Sequence, residues 1–97
     1  MKIPAQHVHF IGIGGAGLSA IARVLLEQGA EVSGSDLVLS PVAEALARDG
    51  ARVFVGHRAE NVAGADMVIV SSAVLPENVE VQAARAAGIR LLKRPEF

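Results

Sequence analysis

Residues 8–25 read VHFIGIGGAGLSAIARVL, and this stretch decides the fold. Val8 to Ile13 is a short apolar run broken by glycine, the pattern of a buried strand. From Ala16 to Gln28, Ile21, Val24 and Leu25 recur at helical spacing, and Gly29 supplies a stop. Between the two segments Gly12, Gly14 and Gly17 fit G-x-G-x-x-G, in the strand–turn–helix setting that motif requires. Glycines here permit a tight turn and let backbone approach a diphosphate. The helix start then offers N–H groups, expected from Gly15 to Ser19, together with the positive end of the helix dipole. The competing reading is that the glycines only let the helix pack on the strand. The agreement of strand, turn and helix with the fingerprint weighs against it.

The rest of the chain repeats the alternation. Glu31 to Asp36 (EVSGSD) reads as a second strand, and Ser40-Pro41 as an N-cap and first residue of a helix that stops at Gly50. Ala51 to Gly56 and Met67 to Ala73 read as strands three and four, with at most a short helix near Ala59 to Val62. A helix over Asn78 to Ala87, stopped by Gly88, precedes a fifth strand from Ile89 to Lys93. Strands alternating with helices predict an α/β, three-layer αβα fold. Its core is a Rossmann-like five-stranded parallel sheet of order 3-2-1-4-5. Ligand is then expected where that order reverses, outside the carboxyl ends of strands one and four.

Composition agrees. The 97 residues suffice for one domain, 52% are hydrophobic, and with three Phe and no Tyr or Trp the core falls to Val, Ile, Leu and Ala. Nine basic against ten acidic residues leave a net charge of −1, so no basic face is available and no nucleic-acid partner is expected. There are no cysteines for disulfides or a thiolate metal site. No leader-like segment precedes the first strand and every apolar run is far below ~18 residues, so the expectation is a cytoplasmic protein without a membrane partner.

The predicted ligand edge collects several polar residues. Asp36 closes the second strand 19 residues after Gly17, where a carboxylate can accept ribose hydroxyls and repel a 2′-phosphate; a plain turn Asp is the alternative. Ser71 and Ser72 end the fourth strand, with Ala73 and Val74 able to line a flat base; hydroxyls that merely cap the strand end are the alternative. His57 follows Gly56 on the same edge as a base contact or a solvated loop residue, whereas His7 and His9 sit at the far end as structural or exposed side chains. These three histidines are scattered and without paired carboxylates, so no metal site is expected. There is no nucleophile–base pair, carboxylate dyad or G-x-x-x-x-G-K-[ST], so the domain is expected to bind and not to catalyse alone.

Four ordered phrases go beyond a generic nucleotide fold: HFIGIGGAGLSAIARVL (9–25), VSGSD (32–36), VFVGH (53–57) and ADMVIVSSAV (65–74). Followed by NVEVQAARAAGIRLLKRPEF, they resemble the N-terminal domain of the Mur ligase family over nearly the whole chain, most closely the branch that couples L-alanine to UDP-N-acetylmuramic acid. The resemblance implies a three-domain enzyme of peptidoglycan synthesis whose first domain holds the UDP end of UDP-N-acetylmuramic acid. ATP and magnesium belong to a covalently linked central domain, and the amino acid to a C-terminal one. Residue by residue it assigns Gly14, Gly15, Ala16, Gly17, Leu18 and Ser19 to the diphosphate, Asp36 and Leu37 to the uridine, and His57, Ser71, Ser72, Ala73 and Val74 to the same groove. Because the chain stops at KRPEF, where the family continues, residues 1–97 are expected to be one UDP-sugar-binding domain of a longer ligase, with no cofactor of its own. Leu18 stands where methionine is common in the family, a swap of similar volume. A sister branch that joins a whole peptide to the same sugar usually carries cysteine at Gly14 or Gly15, and ranks second. An NAD(H)-binding domain of an oxidoreductase or dinucleotide-sensing regulator also fits Gly12, Gly14, Gly17 and Asp36; a scaffold with a vestigial glycine turn is the remaining alternative.

Overall fold

The structure, a computed structural model, describes residues 7–93. The end of the family-like stretch, residues 94–97, lies outside them. Five strands, β1 (His7–Ile11), β2 (Glu31–Asp36), β3 (Arg52–Val55), β4 (Met67–Val70) and β5 (Arg90–Lys93), alternate with helices α1 (Ala16–Glu27), α2 (Pro41–Arg48) and α3 (Val79–Ala86). A 3₁₀ turn (Ala59–Val62) sits between β3 and β4. All neighbouring strands are parallel, in the order β3-β2-β1-β4-β5, as the alternation of elements predicts.

Side chains alternate across the sheet with period two, so each face has its own core. Val8 and Phe10 of β1, Val32 of β2 and Met67 and Ile69 of β4 face α1 and α2, meeting Leu18, Ala22, Leu25, Ala43 and Leu46. Ile11, Val68 and Val70 face the other way, onto Val62 of the 3₁₀ turn and Val81 and Ala84 of α3. Every residue of β1 is buried, as a central parallel strand covered on both faces must be. Gly34 in β2 answers a packing need: a Cβ there would lie 2.5 Å from Ile13, whose side chain fills that space.

Two strands end earlier than the apolar runs suggest. β1 stops at Ile11 and not Ile13, because Gly12 turns out of the sheet at φ +89° and the amides of Gly12 and Ile13 both donate to the Ser35 carbonyl, at 2.8 and 3.1 Å. β4 stops at Val70 and not Ala73: Ser71 N–H still donates to Ile11 O at 3.0 Å, but the chain then turns, with Val74 N–H donating to Ser71 O. Both departures occur at the same sheet edge, and they open it.

Candidate functional site

The glycine turn is built by backbone hydrogen bonds from β2. Besides the two bonds to Ser35 O, Gly15 N–H donates to Gly12 O at 3.0 Å and Gly14 N–H to Asp36 Oδ2 at 2.8 Å. The other carboxylate oxygen, Asp36 Oδ1, accepts Leu37 N–H at 2.8 Å. Asp36 therefore performs the turn role that competed with ribose contact, and it lines the groove as well. Gly14 has no room for a side chain: a Cβ would stand 2.8 Å from Asp36 Oδ2 and 2.9 Å from Ser40 Oγ.

These bonds narrow the expected anion window. The amides of Gly14 and Gly15 are committed inside the turn, and Ser19 N–H donates to Gly15 O at 2.8 Å as an ordinary helical bond. That leaves the amides of Ala16, Gly17 and Leu18, first-turn donors for which a helix has no internal acceptor. Gly15 as N-cap offers them no side-chain oxygen, and no acidic residue lies in the first turn of α1. The other two helices differ. Ser40 Oγ accepts Ala43 N–H above α2, which has Glu44 in its first turn, and Asn78 accepts Glu80 N–H above α3.

The bare helix start adjoins a groove of about 380 Å³ at the place where strand order reverses. Gly14, Gly15, Asp36, Leu37, His57, Ser71, Ala73 and Val74, all expected at a ligand edge, line it together. Gly12, Val38 and Ser40 line it as well. Sequence reasoning read Ser40 only as a helix cap. A second lobe of about 410 Å³ shares Leu37, His57, Ala73 and Val74 and continues past Leu75 to Asn78.

Some assignments need correction. The Leu18 side chain is 1% exposed and belongs to the core, so only its amide is available to a ligand. Ser72 is exposed and is not among the lining residues, and the Ser71 hydroxyl accepts Ala73 N–H at 3.2 Å as a local turn bond while facing the groove. Ala16, Gly17 and Ser19 lie in the first turn of α1, which follows the groove-lining Gly15; Gly17 and Ser19 do not themselves line the groove.

The largest correction concerns the histidines, which do have a carboxylate. Glu80, in the first turn of α3 and 0% exposed, is the hub of a buried polar network. Its Oε1 accepts His9 Nε2–H and Ser35 Oγ–H, both at 2.7 Å; its Oε2 accepts Asn61 Nδ2–H at 2.8 Å and Arg58 N–H at 3.0 Å. His9 continues through Ser33 Oγ to His7, each step 2.7 Å, and His57 Nδ1 meets Ser35 Oγ at 2.8 Å. Burial alone would push the Glu80 carboxyl up, but the hydrogen bonds from His9, Ser35, Asn61 and the Arg58 amide outweigh it and hold the group down at about 2. Ser33, Ser35 and His9 share the α3 face of the sheet through period-two alternation, so the serines in EVSGSD were the available signal.

The sequence has no Gly-Lys-Thr/Ser phosphate loop, and among the described residues no group of three or more His, Cys, Asp or Glu side chains is placed to hold a metal ion. Among the described residues no helix is long and apolar enough to cross a membrane.

Known proteins agree with the geometry. The family signature described as "Mur ligase family, catalytic domain" matches residues 7–97. A UDP-N-acetylmuramate–L-alanine ligase of Solibacter usitatus is 57% identical over 95% of this chain and 20% of its own length. Another, of a Jannaschia species, is 54% identical over 99% of this chain and 21% of its own. The crystal structure of the UDP-N-acetylmuramate–alanine ligase of Thermotoga maritima superposes with a TM-score of 0.89 at 34% identity, covering 93% of this chain and 21% of that one. The chain thus spans about a fifth of the length of these relatives. Carrying the family's signature over nearly its full length, on the parallel sheet and glycine turn described above, it belongs to the Mur ligase family.

Proposed function

We propose that this domain holds the UDP end of UDP-N-acetylmuramic acid for an ATP-dependent ligase that joins the sugar's carboxyl to L-alanine in cytoplasmic peptidoglycan synthesis. The parent's central and C-terminal domains supply ATP, magnesium and the amino acid. One observation carries the reading: among the three α-helices of the described residues, α1 alone begins without a side-chain cap or a first-turn acid, and it follows Gly15 at the wall of the switch-point groove. A diphosphate there meets the amides of Ala16, Gly17 and Leu18 and the positive end of the helix dipole. Asp36 at the neighbouring strand end favours ribose hydroxyls and opposes a 2′-phosphate. The apolar rim of Leu37, Ala73 and Val74 suits the faces of a base. The relatives named above are called UDP-N-acetylmuramate–L-alanine ligases, which points to that sugar nucleotide as the ligand.

Calorimetric titration of the 97-residue chain with UDP-N-acetylmuramic acid and, separately, with NAD tests the reading. Weak but saturable binding of the UDP sugar without binding of NAD is expected, since part of the ligand's contacts lie on the other domains. Binding of NAD with none of the UDP sugar overturns it.

A further inference from the structure

His57 sits at the junction of the two lobes of the groove, and its side chain is 14% exposed. What faces the ligand depends on which ring nitrogen carries the proton. The partners behind the ring decide that. Glu80 is ionised and can only accept, and Ser35 Oγ lies 2.7 Å from its Oε1. The Ser35 hydroxyl must spend its single proton on that contact, because two lone pairs facing each other in a buried site are unfavourable. Ser35 Oγ is then left as an acceptor for His57 Nδ1, 2.8 Å away. Glu80 Oε2, 3.5 Å from the same nitrogen, favours a proton there too. The hydrogen therefore belongs on Nδ1. Among the described residues no buried side-chain nitrogen lacks a partner, so Nε2, which makes no hydrogen bond, is open to solvent on a ring that lines the groove.

We propose that Ser35 and Glu80 are positioning residues that lock His57 in its Nδ1–H form, so that Nε2 offers a lone pair to the groove and receives an N–H or O–H from the nucleoside part of the ligand. The identity of the ligand rests on the nucleotide reading above; the tautomer does not. An acceptor nitrogen backed by an ionised carboxylate repels phosphate. The arrangement therefore sets the polarity of the bound nucleotide, with diphosphate at the start of α1 and the nucleoside toward His57. Asn61 and the Arg58 amide, both held by Glu80 Oε2, fix the segment that carries the ring.

Long-range ¹H–¹⁵N correlation of the imidazole nitrogens tests this at neutral pH, with His57→Gln used only to assign the signals. In the wild type, Nδ1 should show the shift of a protonated nitrogen and Nε2 that of an unprotonated one; the reverse pattern, or the shifts of two protonated nitrogens, overturns the proposal. UDP should shift Nε2, whereas inorganic pyrophosphate should perturb the amides of 16–18 and leave Nε2 unmoved. A pyrophosphate shift at Nε2 as large as that from UDP also overturns it. Ser35→Ala should release the tautomer and weaken UDP binding about five- to tenfold. Ser33→Ala, an equal truncation three hydrogen bonds away through Glu80 and His9, should do neither; equal losses from both, or an unchanged tautomer in Ser35→Ala, refute the positioning role. Should UDP fail to bind the wild type at all, the nucleotide reading falls while the Nδ1–H assignment is still read directly from the spectrum.

Discussion

Two polar regions lie on opposite sides of β2, and they treat hydrogen bonds in opposite ways. Around Glu80 every donor and acceptor is matched: four donors converge on one carboxylate, and among the described residues no buried side-chain polar atom is left over. At the start of α1 the chain withholds what it supplies to its other helices, a capping oxygen and a first-turn acid. Saturation marks a region that holds the fold together. Uncapped amides beside a groove mark the region proposed above for an anion. His57 belongs to both, with one nitrogen in the network and the other at the groove.

Substitutions should separate the two regions. Glu80→Ala strands His9, Asn61 and the Arg58 amide in a buried site, and urea unfolding should show a loss of about 3–5 kcal/mol. A loss below 1 kcal/mol would break the comparison. Acid should reproduce most of that effect. The folded carboxyl is depressed from 4.5 to about 2, so its contribution is fully present above 4.5 and disappears as pH falls through that window toward 2. That contribution amounts to about 3 kcal/mol, and unfolding midpoints followed against pH should show it missing in Glu80→Gln.

At the other region binding should fail before stability does. Gly14→Val drives a side chain into Asp36 and Ser40, and should abolish detectable UDP binding in calorimetry while costing about 1–3 kcal/mol in stability. Gly15→Asp is the sharper probe. Gly15 already has the extended backbone of an N-cap, φ −66° and ψ 146°, so aspartate there can cap the exposed amides with its own carboxylate once the Gly12 carbonyl, 3.3 Å from the new Cβ, gives slightly. Stability should change by no more than about 1 kcal/mol, and UDP binding should disappear, because the anion site has been filled from within. Retained binding would mean that the diphosphate lies elsewhere.

The sequence made the frame legible and hid the network. Strand alternation, Gly12-x-Gly14 and the Ser40-Pro41 start are local signals, and β2, the 3₁₀ turn and the start of α2 fall where those signals put them. The ends of β1 and β4 were overrun because apolar residues continue past the last paired residue, and Ile13 is buried against Gly34 without being in a strand. Nothing in the sequence singled out Glu80 within the helix expected over Asn78 to Ala87. Its role depends on partners 19 to 71 residues away, brought together only by the register of β1 with β2 and the docking of α3. Asp36 ends β2 and lines the groove where the sequence put it, but its bond to Gly14 N–H was not legible, since a backbone donor leaves no trace in residue identity.

The most direct measurement is a ¹H–¹⁵N amide titration of the domain with UDP. The largest shifts are expected at Ala16, Gly17 and Leu18, smaller ones at Asp36, Leu37 and Ala73, and little at Val81 and Gln82 on α3. Shifts centred on α3, or saturation by UDP with the amides of 16–18 unmoved, would contradict the claim that the start of α1 holds the diphosphate.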